Sequence, residues 1–272
     1  MLPTVALVAL AAGGAVAGLS AGLFGIGGGL VLVPTYLFAF RLAEIDPELA
    51  MRLALGTSLT TIVFTGAASV WAHHRRRNVA WIRVGLLSGP LIGGASLGAL
   101  IAARVPGDWL QSIFGVFICV MAARIALARQ STARPADQAD RLGRGPYAEL
   151  PAVGLGIGAA SAVLGIGGGT LTVPYLIQRH VPMHRAVGTA AACGVPLALA
   201  ASAGYAWAGL GEAGLPPATL GYIHPVGALA VLATSVPLAP VGARLAQRLP
   251  AAALRRAFAV VLVAVGGTLL AT

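Results

Sequence analysis

Apolar runs long enough to cross a bilayer recur from one end of the chain to the other. They occupy approximately residues 4–39, 49–72, 80–103, 109–128, 150–178, 184–209, 220–246 and 251–271, separated by short polar turns. A helical span needs about 20 predominantly apolar residues, so the pattern predicts an all-α polytopic membrane protein. Only one long polar stretch interrupts it, residues 129–147 (RQSTARPADQADRLGRGPY). Its composition predicts a flexible linker, dividing the chain into 1–128, the linker 129–147, and 148–272. The first run lacks the basic start and small-residue cleavage site of a secretory signal, so it is expected to remain as structure.

The two halves repeat each other. Residues 24–34 read FGIGGGLVLVP and residues 164–174 read LGIGGGTLTVP, an offset of 140. Ala54-Leu55-Gly56-Thr57-Ser58 is answered by Ala186-Val187-Gly188-Thr189-Ala190, and Gly98 with Pro106 by Gly242 with Pro250. Three landmarks in the same order predict an internal duplication, and duplicated halves with matching interruptions are the signature of secondary transporters.

Arginine placement discriminates between topologies. If every apolar run crosses once, the two sides receive nine arginines each, which sets no orientation. If the first run of each half turns back near its glycines, three full crossings follow in each half and the repeats are inverted. One side then collects 15 arginines, and the other only Arg41, Arg52 and Arg104. The second arrangement obeys the positive-inside rule and makes the linker cytoplasmic. Trp71 and Trp81, flanking His73-His74-Arg75-Arg76-Arg77, suit an aromatic belt on that side.

The glycine-proline motif carries the chemistry. Gly25, Gly27, Gly28 and Gly29 weaken helix, and Pro34 removes a donor and disfavours helix at Val33. Gly165, Gly167, Gly168, Gly169 and Pro174 repeat the pattern. Irregular backbone at membrane depth must line a cavity or be buried in protein. A helix resuming after such a break aims free N–H groups and its positive dipole end at the gap. Two breaks meeting at the midplane would form an anion site. Thr170 and Thr172 add hydroxyls where the first half has Leu30 and Leu32, and Thr57, Ser58 and Thr189 add more. Two bland readings stand beside this one. Gly18, Gly22, Gly25 and Gly29 have the small-xxx-small spacing of close helix packing, and the threonines can bond back to their own helices. A dinucleotide loop is excluded, because the spacing is not G-x-G-x-x-G.

G-x-G-G-G-x-x-x-x-P near the start of each half, followed by an A-x-G-T motif, resembles the TauE/SafE family of sulfite exporters. The closing stretch from Ala239 to Pro250 (APVGARLAQRLP) resembles the same family. The resemblance implies a prokaryotic inner-membrane permease for sulfite, sulfonates or related sulfur-containing anions. Ala190 stands where the first half has Ser58, which weakens the second half's polar contribution at that point.

Composition then narrows the remaining classes. The chain is 58% apolar and 10% charged, against about 25% charged in soluble domains. Its net charge of +10 comes entirely from arginines in short loops, which excludes a nucleic-acid face. Every Asp and Glu falls in or beside a loop, where proton coupling through a mid-membrane carboxylate is not expected. No His, Asp, Glu or Cys cluster offers metal ligands or a nucleophile-base pair, so no catalytic residue, metal site or cofactor is expected and the chain is read as no enzyme. Cys119 and Cys193 read as small buried hydrophobes. The expected activity is export of a sulfur-containing anion by alternating access, driven by the membrane potential. An anion channel or a carboxylate permease is the alternative. The expected partners are a small anion and the lipid bilayer, with a homodimer as the oligomer to test.

Overall fold

A computed structural model describes residues 2–25, 27–127 and 149–246, with side chains of the fifth helix described to residue 121. The linker 129–147 and the apolar run 251–271 lie outside the described residues. Within them the chain forms nine helices and no strand: α1 Thr4–Phe24, α2 Gly29–Leu42, α3 Pro47–His74, α4 Trp81–Ala102, α5 Gly107–Leu127, α6 Leu150–Val163, α7 Gly169–Gln178, α8 Met183–Ala208 and α9 Pro225–Leu245. Helices α1, α3, α4, α8 and α9 are long and apolar enough to cross a membrane. The fold is that of an all-α polytopic membrane protein.

Each glycine-rich run turns the chain back on itself. Gly13 of α1 lies against Thr35 of α2, and Gly28 against the Ala17 carbonyl, so α2 retraces α1 as a hairpin. An ion pair between Glu149 and Arg179 ties the start of α6 to the end of α7. The prolines do not end these helices. Pro34 lies inside α2 and Pro174 inside α7, contrary to the helix break expected at Val33. The same holds at Pro90 in α4, Pro196 in α8 and Pro237 and Pro240 in α9: membrane helices continue through proline where neighbouring groups take up the freed backbone.

Helix pairing crosses between the halves. Gly14, Gly18 and Gly22 of α1 meet Val231, Ser235 and Ala239 of α9, so the two run parallel. Gly94 and Gly98 of α4 meet Leu155 and Ala159 of α6 in the same manner. Between these pairs lie α3 and α8, which run antiparallel: Thr60 faces Ser202 at 2.6 Å between hydroxyls, and Gly188 faces His73. Lipid-exposed helices gain little from hydrophobic burial against one another, so small residues that admit close backbone contact do the joining.

Polar ends anchor the bundle. Asp46 caps α3 by accepting the Glu48 N–H at 2.8 Å. Arg52, which is largely buried, donates to the Val105 carbonyl at 3.1 Å and reaches Glu48 and Glu212 at 3.6 and 4.0 Å. Cys193 is buried as a small hydrophobe, whereas Cys119 is exposed on α5 and departs from that expectation.

These close contacts set a stability test. A side chain at Gly22 or Gly94 would drive into the Ala239 or Leu155 carbonyl, whereas Gly89 meets nothing. Gly22→Val and Gly94→Val are each expected to cost about 1–3 kcal/mol and to lower the thermal midpoint of the detergent-purified protein by several degrees. Gly89→Ala should leave it unchanged.

Candidate functional site

The two glycine breaks touch. Gly25 ends α1 in the left-handed region at φ 67°, and Gly28 starts α2 at φ 79°. In the second half Gly165 has φ 63° and Gly168 starts α7 at φ 68°. A β-carbon is strained at such angles, and here there is also no room for one. A Cβ on Gly27 would lie 2.8 Å from the Ile62 Cγ2 and in ordinary contact, 3.4 Å, with the Gly167 Cα. One on Gly29 would lie 2.7 Å from the Ile166 Cα and 2.8 Å from the Gly165 carbonyl oxygen. Both breaks are wedged between α3 and α8. Gly25 abuts Val187 and Gly165 abuts Leu55, residues that match each other in the two repeats. Gly169 is buried in the first turn of α7.

The hydroxyls on α3 and α8 divide into two groups. Ser58 Oγ donates to the Gly165 carbonyl at 2.9 Å and pins the second break to α3. Thr57 is otherwise engaged: it donates to the Leu53 carbonyl at 2.6 Å and accepts the His224 N–H at 3.0 Å. Thr189 accepts the Ala80 N–H at 3.0 Å. These threonines tether the entries of α9 and α4. His224 is buried and caps α9 by accepting the Gly227 N–H at Nδ1, 3.0 Å away.

The turns at the far ends of α1 and α6 are also tied down. His73 Nε2 lies 3.2 Å from the Gly22 carbonyl, and Tyr205 OH donates to the Ala162 carbonyl at 3.2 Å. Along α3, Thr65 donates to the Thr61 carbonyl and Thr61 to the Thr57 carbonyl. The Thr61 proton is thereby spent, so Tyr36 OH donates to Thr61 Oγ1 at 2.6 Å.

Three hydroxyls at the second break have no partner. Ser161 Oγ in the last turn of α6, and Thr170 Oγ1 and Thr172 Oγ1 in the first turn of α7, are buried with no hydrogen bond. Ser161 Oγ lies 3.8 Å from the point where a Gly168 Cβ would be. An unsatisfied buried polar group costs about 1–3 kcal/mol, so three beside one helix N-terminus are an expensive arrangement without a ligand. At the same offset of 140 the first half has Ala21, Leu30 and Leu32, so the first break lacks these three hydroxyls. Ser161 had not been singled out from sequence; its contrast with Ala21 is the signal that marks it. Among the described residues no Arg, Asp or Glu is fully buried, although Arg52 is largely so and Arg83 Nη1 is covered. Any ligand here meets hydroxyls, amides and a helix dipole.

Comparison with known proteins places this geometry in a family. The profile described as "Sulfite exporter TauE/SafE" matches residues 10–269. A probable membrane transporter protein of Haemophilus influenzae is 34% identical over 252 residues, covering 93% of both chains. The probable membrane transporter YdhB of Bacillus subtilis is 24% identical over 88% of this chain and 90% of its own. YunE of the same organism is 31% identical over 60% of this chain and 64% of its own. No solved structure matches significantly. Apolar spans, glycine breaks and sequence similarity agree: the chain belongs to the TauE/SafE family and is a multi-pass membrane transporter of that type.

Proposed function

We propose that this transporter moves a small sulfur-containing oxyanion, sulfite or a sulfonate, out across the inner membrane of a prokaryote by alternating access around the paired breaks. The observation that carries the reading is the set of unpartnered hydroxyls of Ser161, Thr170 and Thr172 at the start of α7. Hydroxyl donors and a positive helix end suit the oxygens of an anion. The absence of a cation among them suits a substrate that must leave again. Gly27 and Gly29 close the site from the opposite break by backbone contact, and the glycines Gly165, Gly167, Gly168 and Gly169 let the anion approach the main chain. Sulfur chemistry enters from the family description alone.

Inverted repeats are part of the same proposal. Helices α3 and α8 carry matching motifs yet run antiparallel, and α1 pairs with α9 as α6 pairs with α4. With 15 arginines against 3, the linker 129–147 and the Arg75–Arg77 turn face the cytoplasm. Rocking one repeat against the other would then open the site to each side in turn.

The driving force follows from charge. Each negative charge leaving a negative cytoplasm gains about 2.3 kcal/mol per 100 mV. No described carboxylate is buried to carry a coupled proton.

Two measurements test these claims. Ser161→Ala combined with Thr172→Val removes two unsatisfied hydroxyls, so the apo protein is expected to unfold no earlier than wild type. Its affinity for sulfite should fall about 10- to 100-fold, at about 0.5–1.5 kcal/mol per lost hydrogen bond. Unchanged affinity, with lower apo stability, would assign these hydroxyls a packing role instead. In proteoliposomes, flux of a sulfonate, whose charge does not titrate near neutral pH, should follow an imposed potential. It should ignore a pH gradient at zero potential. Saturable counterflow of labelled substrate is expected of a carrier, and its absence would indicate a channel.

A further inference from the structure

Away from the breaks, α3, α4 and α8 enclose an open groove of about 460 Å³ on the outside of the bundle. Ala67, Val70 and Trp71 of α3, Trp81 and Val84 of α4, and Val195 of α8 form its walls, and almost all of its surface is apolar. His74 stands at its mouth, accepting the Trp81 indole N–H on Nδ1 at 3.1 Å. The Arg75 guanidinium stacks over the Trp71 ring, 4.9 Å from its centre, which holds a positive charge directly beside the groove wall. Arg77 follows in the same turn and is exposed, whereas Arg76 spends its guanidinium on the Ala243 carbonyl at 3.1 Å.

These charges have no counterion on the helices that form the groove. Residues 49–107, which include nearly all of α3 and the whole of α4, contain no Asp or Glu, and neither does α8. A hydrocarbon slot that opens under two exposed arginines and between two interfacial tryptophans matches one occupant by charge and shape. We infer that this groove is a binding site for an anionic phospholipid, with one acyl chain between α3, α4 and α8 and the phosphate at Arg75 and Arg77. Burying the chain distinguishes no lipid from bulk bilayer, because the tails are equally apolar outside. Selectivity comes from the headgroup, and each arginine near the surface contributes to it. Trp71 serves both parts of the site, as groove wall and as the platform that positions Arg75.

Tryptophan quenching by brominated lipids reads the site directly, since Trp71 and Trp81 line it. Trp109 and Trp207 are 67% and 73% exposed and would add background, so the test uses Trp109→Phe/Trp207→Phe protein in phosphatidylcholine vesicles. Phosphatidylglycerol brominated on its acyl chains should quench with an apparent affinity about tenfold above brominated phosphatidylcholine. Arg75→Gln/Arg77→Gln should abolish that preference, and Arg75→Lys/Arg77→Lys should retain it. Ala67→Phe, at an exposed groove position, should reduce quenching by both lipids. Equal quenching by the two lipids before mutation would overturn the proposal, as would a preference that survives Arg75→Gln/Arg77→Gln. Protection of the groove from both lipids in a concentration-dependent dimer would assign it to a second copy of the chain, and would equally overturn it.

Discussion

Backbone polar groups inside a bilayer have no water to fall back on, and the architecture is organised around that constraint. Two stretches of chain leave helical geometry deep in the protein, and each is covered by the other. Gly27 rests on Gly167, and Gly29 packs on Ile166 and the Gly165 carbonyl too closely to admit a side chain. The remaining exposed carbonyls at the turns are taken up one by one. Ser58 donates to Gly165, His73 reaches Gly22 and Tyr205 donates to Ala162. The site therefore exists because two defects in helical structure are each other's lining.

The same residues explain why the surrounding helices pack as they do. Antiparallel α3 and α8 form the wedge that holds both breaks, and their threonines fasten the next helices in place. Thr57 fixes the entry to α9 through the His224 N–H, and Thr189 fixes the entry to α4 through the Ala80 N–H. α1 lies along α9 and α6 along α4 by glycine-mediated contact, so the helix leading into each break packs against a helix of the other half. Such pairing across the halves is what alternating access around a central site requires.

Much of this was legible in the sequence, for definable reasons. Clustered glycines have few other uses in an apolar run, so the positions of both breaks were readable from Gly25–Gly29 and Gly165–Gly169. The duplication was readable because seven residues of an eleven-residue stretch recur identically, with every glycine and the proline in register. The prolines misled, because in a membrane bundle neighbouring groups satisfy the backbone that proline frees, and α2 and α7 continue through Pro34 and Pro174 as α4, α8 and α9 do through theirs. Thr57 and Thr189 could not be separated from Ser58 by type or spacing. Their partners, His224 and Ala80, come from loops whose proximity only the folded chain defines. Ser161 carried one sequence signal, its contrast with Ala21, but that its hydroxyl has no hydrogen-bond partner is a property of the folded neighbourhood.

The central claim is that the second break, with its three free hydroxyls, is where the transported anion rests. Selenite replaces the sulfur of sulfite with an atom that scatters anomalously. An anomalous difference map from crystals grown with it would therefore locate the ion without reference to any assumed pose. The account predicts a selenium peak within hydrogen-bonding range of Ser161, Thr170 and Thr172, absent from Ser161→Ala/Thr172→Val crystals. A peak confined to the arginine-rich surface turns, with none between the breaks, would contradict it.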